Sequence, residues 1–101
     1  MDLNDYAESI YRTCKEHGFT TPASIHEVEL TLAKLMLIVT EVSEAAEHVR
    51  LGDFIALKEE LADILIRTLH LARGLGIDIQ MEVLTKMEIN KRRPYRHGKL
   101  I

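Results

Sequence analysis

A chain of 101 residues, 47% hydrophobic and 29% charged, fits one helix-rich globular domain and excludes a disordered or fibrous chain. A formal net charge of −3 disfavours a non-specific nucleic-acid binder, and the longest apolar run, the five residues Leu35 to Val39, is far too short to cross a bilayer. Cys14 is the only cysteine, which excludes an intrachain disulfide and fits a reduced, cytoplasmic setting.

The opening "MDLNDYAES" is acidic and lacks the apolar stretch of a secretory signal. A first helix is expected from about Asn4 to His17, stopped by Gly18. "FTTPAS" connects it to the second, for which Ser24 with Glu27 fits a capping box and Thr21-Pro22 offers an earlier start. That helix runs to about Arg50 and stops at Gly52. Asp53 is placed as the N-cap of a third helix continuing to Arg73, and Asp78 as the cap of a fourth that ends before Pro94. No alternating pattern supports a strand, and there is no internal repeat or linker. The expected fold is all-α: one domain over residues 1–101, a four-helix antiparallel bundle whose neighbours are joined by short connections.

The second helix turns acidic in the middle of its most apolar stretch. In "KLMLIVTEVSEAAEHVR", Glu41 and Glu44 fall about 60° apart on a side shared with Leu37, Ile38 and Ala45, with His48 between them and Glu47 pointing away. The third helix repeats this in "EELADILIR". Glu60 and Asp63 are again about 60° apart, Arg67 shares their side, and Glu59 points away. Counted from the turn at Gly52, Glu44 and Glu60 are each eight residues distant, so in a hairpin the two acidic pairs come level. Four carboxylates at one height repel strongly unless neutralised, and a hard divalent cation with oxygen ligands, Mg²⁺ or Mn²⁺, is the economical solution. A purely structural alternative has Arg67 bridging Glu60 and Asp63.

The fourth helix ends in a basic stretch, with six Lys or Arg from Lys86 onward against the single acid Glu88. Lys86, Asn90 and Arg93, spaced i, i+4, i+7, form one stripe suited to a polyphosphate; a solvated helix end favoured by the dipole is the plainer alternative. Tyr95, Arg96, His97 and Lys99 continue the charge beyond it. His17, His26 and His70 show no partner pattern, and Met36, Met81 and Met87 read as core filler.

Taken together, "KLMLIVTEVSEAAEHVR", "EELADILIRTLHLARGLGID" and "KMEINKRRPYRHGK" resemble the MazG-like nucleotide pyrophosphohydrolases of the all-α NTP pyrophosphatase superfamily, in their small single-domain form. The resemblance covers roughly residues 30–99. It implies Mg²⁺-dependent hydrolysis of a nucleoside triphosphate at the α–β phosphoanhydride, giving monophosphate and pyrophosphate. Glu41, Glu44, Glu60 and Asp63 would then be the catalytic metal ligands, with one carboxylate taking a proton from the attacking water. Lys86, Asn90 and Arg93 would hold phosphates, and Tyr95, His97 and Arg67 would contact substrate or support the ligands from behind. The resemblance also implies a helical homodimer or homotetramer with sites near subunit interfaces, and no partnership with a membrane or a nucleic-acid polymer. Two other readings compete. A di-iron carboxylate bundle needs Glu-x-x-His, and no Glu here has His three residues later. A non-catalytic nucleotide-sensing or partner-binding dimer would keep the bundle without turnover.

Overall fold

Asp2 opens the first helix with a reciprocal capping box. Its side chain accepts from Asp5 N at 3.0 Å and Asp5 Oδ2 accepts from Asp2 N at 2.9 Å. In this computed structural model, which describes all 101 residues, α1 spans Leu3–Glu16, α2 Val28–Arg50, α3 Phe54–Gly74 and α4 Ile79–Lys91. There is no strand, and Tyr95–Gly98 form a tight turn with Arg96 and His97 at φ 54° and 52°. The chain is all-α with four helices, as the punctuation predicts.

Two of the expected caps form. Asp53 accepts from Ala56 N and Asp78 from Met81 N, each at 3.0 Å. The Ser24–Glu27 box does not. Glu27 Oε2 accepts from Ala23 N at 2.7 Å, Ser24 Oγ accepts from His26 N at 3.1 Å, and the helix starts only at Val28. Both side chains close the turn before the helix, so neither is left to cap it.

The hairpin between α2 and α3 is tight because Gly52 takes φ 73° while Asp53 N bonds back to His48 O at 2.9 Å. Across it, Arg67 reaches Glu41 and His48 reaches Glu60, contacts nested about the turn as an antiparallel pair requires. On the other side of α3, Glu8 pairs with Arg73, and Tyr11 meets His70 with ring centroids 6.1 Å apart. That nesting makes α1 antiparallel to α3 as well. Therefore α1 and α2 run in the same direction, and residues 17–27 must climb back along the molecule to join them. This differs from the expectation that sequence neighbours are antiparallel. The climbing segment passes the end of α3, where Thr21 and Pro22 cover Gly74; a Cβ there would lie 2.8 Å from Pro22 O. Pro22 is the fully buried large side chain of the molecule.

α4 is held by its first turn. Leu3 N donates to Gln80 Oε1 at 3.0 Å, Asn4 Nδ2 to Asp78 Oδ1 at 2.8 Å, and Gln80 N to Asn4 Oδ1 at 3.2 Å. From Met81 onward every residue is exposed. Met36, Met81 and Met87, expected in the core, lie on the surface of the single chain. Only eight of the 101 residues are buried, chiefly small side chains at helix crossings such as Ala7, Ala45 and Ala72. The radius of gyration is 15.7 Å, against about 13 Å for a compact chain of this length. No helix is long and apolar enough to cross a membrane.

Candidate functional site

The α2–α3 hairpin brings Glu41, Glu60 and Asp63 together, with one carboxylate oxygen of each within 4.8 Å of the others. Glu41 is only 9% exposed. It is held from α3, where Arg67 Nε donates to its Oε1 at 3.0 Å. The purely structural alternative has Arg67 bridging Glu60 and Asp63 on its own helix. Its actual partner lies across the hairpin, because Arg67 lies one turn beyond Asp63 and faces α2.

Glu60 has the most unusual surroundings. Its side chain is 14% exposed, Oε1 lies 3.6 Å from His48 Nε2, and Oε2 is buried with no donor. A buried acceptor without a donor calls for a proton or a cation. The neighbouring Glu41 carboxyl, then burial, then the charges of Glu41 and Glu44 push the Glu60 carboxyl up to about 7. Glu41 shifts the opposite way, below the usual carboxylate range, through the neighbouring Glu60 carboxyl and the hydrogen bond from Arg67, against an opposing burial effect. One proton shared between the two carboxyls accounts for both directions. A divalent cation would replace it, and hard carboxylate oxygens are the donors Mg²⁺ and Mn²⁺ take.

Glu44 stands at the edge of this group. It is exposed and outside the 4.8 Å cluster, yet near enough for its charge to raise Glu60. Glu47 turns away and pairs with Arg50 at 3.5 Å, and Glu59 is exposed.

The basic stripe is elsewhere. Lys86, Asn90 and Arg93 are exposed on α4 and its C-terminal end; none bonds to the carboxylates or lines the cleft beside them. Arg93 Nη1 meets His97 Nδ1 at 3.2 Å, while Lys91 and Arg92 pair with Glu88. Tyr95 is exposed and away from the cluster as well.

A cleft of about 240 Å³ opens from Glu41 and Asp63 toward the far end of the hairpin. Phe19, Ile66 and Leu71 form its apolar surface; Lys34, Arg67 and His70 supply its polar one, with Cys14 and Thr21 completing the wall. Burial first, then the charges of Lys34 and Arg67, lowers the pKa of His70. Sequence reasoning did not single out Phe19 or Lys34, and it set His70 aside. The signal was available: Lys34 lies seven residues before Glu41 and His70 seven after Asp63, two turns along the same faces.

The model of the MazG-like family matches residues 21–100, which covers the hairpin, the acidic cluster and the basic end. The chain belongs to the MazG-like family. No curated protein and no solved structure matches it. For this MazG-like chain, membership points to a nucleotide-pyrophosphohydrolase type of fold, in keeping with four helices and no strand.

Proposed function

We propose that the chain is a nucleoside triphosphate pyrophosphohydrolase that hydrolyses (d)NTP at the α–β phosphoanhydride to (d)NMP and pyrophosphate. The observation that carries this reading is the convergence of Glu41, Glu60 and Asp63 within 4.8 Å, with Glu60 Oε2 buried and undonated. These three carboxylates, with Glu44 alongside, are the groups to hold Mg²⁺, or Mn²⁺ in its place. When bound, such an ion offsets the negative charge of the triphosphate and favours attack by water.

The chain's own side chains do the rest of the positioning. Arg67 fixes one oxygen of Glu41 and leaves the other facing the cluster. His48 flanks Glu60 Oε1 from the opposite helix. Glu44, exposed at the edge, is the carboxylate best placed to accept the proton of the attacking water. The rigidity of the hairpin keeps the acidic groups close before substrate arrives, so little reorganisation accompanies the reaction.

Assembly belongs to the same proposal. Lys86, Asn90 and Arg93 do not meet the carboxylates within one chain, and α4 is exposed along most of its length. A homodimer or homotetramer is the economical way to cover α4 and to bring a cationic stripe to the phosphates. The test of the hydrolytic reading is metal dependence. Activity should vanish in EDTA and return with Mg²⁺ or Mn²⁺. Full turnover by metal-stripped protein rules the reading out.

A further inference from the structure

The cleft beside the acidic cluster has a length and a polarity of its own. On α2 it runs from Glu41 to Lys34, and on α3 from Asp63 to His70. Each wall is seven residues long, about 10.5 Å along the helix axis. That is comparable with the reach of a nucleoside from its 5′ oxygen to the far edge of its base. Phe19 contributes an aromatic wall from the segment that follows α1, 63% exposed and thus free to stack on a planar ring.

At the far end Lys34 stands beside His70 and the hydroxyl of Thr21, whose Oγ1 is buried with no partner. Lys34 is partly buried and makes no ion pair or hydrogen bond, although every other cation lining the cleft has a partner: Arg67 bonds Glu41. The pKa of His70, beside Lys34, is lowered by burial and then by the two nearby cations. No carboxylate lines that end, since Glu41 and Asp63 belong to the near one. A partly buried lysine without an acceptor is free to serve a ligand that provides one.

We infer that this cleft holds the nucleobase and that Lys34 selects bases with a carbonyl oxygen on the far edge, position 4 of a pyrimidine or position 6 of a purine. The inference rests on the proposed hydrolysis for the direction in which the nucleotide lies. Thymine, uracil, hypoxanthine and guanine present an acceptor to Lys34. Cytosine and adenine present an exocyclic amine whose hydrogens face the Lys34 cation, which leaves Lys34 without an acceptor. Sites built to hydrogen-bond a substrate group discriminate strongly because the wrong group strands a buried partner.

The experiment uses uncharged nucleosides in EDTA, so neither metal, phosphate nor turnover enters. Thymidine and deoxycytidine form the pyrimidine pair, deoxyinosine and deoxyadenosine the purine pair, each titrated into the full-length protein by ¹⁵N NMR. The expected result is at least tenfold tighter binding of the carbonyl-bearing member of each pair, with shifts at Phe19 and His70. In Lys34→Met the ratio should fall to within about twofold, and in Lys34→Glu it should reverse. Two variants of opposite effect separate recognition from misfolding, which would abolish both ratios together with the folded spectrum. Equal affinities in the wild type, an unchanged ratio in Lys34→Met, or no shifts in the cleft for any nucleoside overturn the inference. A protein that releases pyrophosphate yet ignores Lys34→Met loses the base assignment and keeps the hydrolysis. One that discriminates bases without releasing pyrophosphate does the reverse.

Discussion

Glu60 is the residue on which protonation and the proposed metal binding meet. Its folded pKa, about 7, stands above the ordinary carboxylate value because of Glu41, burial and Glu44. Between the unfolded value and about 7 the folded state keeps a proton the unfolded state has released, so this residue's contribution to stability falls as pH rises through that window. His70, with a lowered pKa, acts in the opposite sense below its ordinary value, so the raw pH profile mixes the two. The difference between wild type and Glu60→Gln removes the His70 contribution and isolates the Glu41–Glu60 pair. In EDTA, the melting temperature of the wild type minus that of the variant should decline from pH 5 to pH 7 and then level off. A flat difference would remove the shared proton from the account. At pH 8, Mg²⁺ should raise the wild-type melting temperature more than that of Glu60→Gln. Glu41→Gln or Asp63→Asn should each lower turnover by roughly a hundredfold or more, since each removes a charged oxygen donor. The convergence of Glu41, Glu60 and Asp63 was legible in the sequence because helical spacing and the hairpin register bring them level, whereas Glu44, expected with them, stands outside the group. The distinct roles of Glu60 and Glu44 were not legible, because burial depends on how α2 and α3 cross.

The elements α1 to α3 owe their order to the segment between α1 and α2. Its closest approach is at Gly74, where a Cβ would press on Thr21 and come within 2.8 Å of Pro22 O. Backbone cannot yield as a flexible side chain can, so Gly74→Ala should destabilise by about 1–3 kcal/mol despite the better helix propensity of Ala. In a domain of this size that is a drop of roughly 4–8 °C per kcal/mol, readable by thermal melts; an unchanged or higher melting temperature would mean the segment does not clamp α3. The starts of α3 and α4 were readable because Asp53 and Asp78 are caps with local partners, whereas the start of α2 was not, since Ser24 and Glu27 close the preceding turn. The parallel course of α1 and α2 was not readable either, since it depends on Glu8 finding Arg73 and on Tyr11 meeting His70, pairings distant in sequence. On α4, Lys86→Ala and Arg93→Ala should each lower kcat/KM about ten- to hundredfold with little change in stability. Lys91 and Arg92 already pair with Glu88, and their alanine variants should keep most of the activity. Equal losses at all four positions would indicate a diffuse charge effect in place of a phosphate grip.

As a whole, the chain exposes more surface than a self-sufficient domain of its size. Its accessible area is 7784 Å² for 11.6 kDa, against roughly 5,800 Å² for a compact monomer of that mass. The excess, about 2,000 Å², is ample for each copy's share of a stable interface. Leu32, Leu35, Met36, Val39 and Val42 on α2, with Leu61 and Leu65 on α3, make up much of it. Sedimentation at micromolar concentration should therefore find a homodimer or larger, with a monodisperse active monomer as the contrary result. Apolar residues on more than one side of α2 and α3, among them Leu35, Leu37, Leu61 and Ile66, signal this excess in the sequence, but not its placement, because a pattern does not say which copy covers which face. The proposed hydrolysis depends on the carboxylates of one hairpin and falls at the bond between the α and β phosphates. It is tested most directly by ³¹P NMR of the products formed from a nucleoside triphosphate with Mg²⁺, wild type beside Asp63→Asn. The account predicts monophosphate and pyrophosphate in equal amounts from the wild type and almost none from the variant. Diphosphate with orthophosphate, or equal product from both proteins, would contradict it.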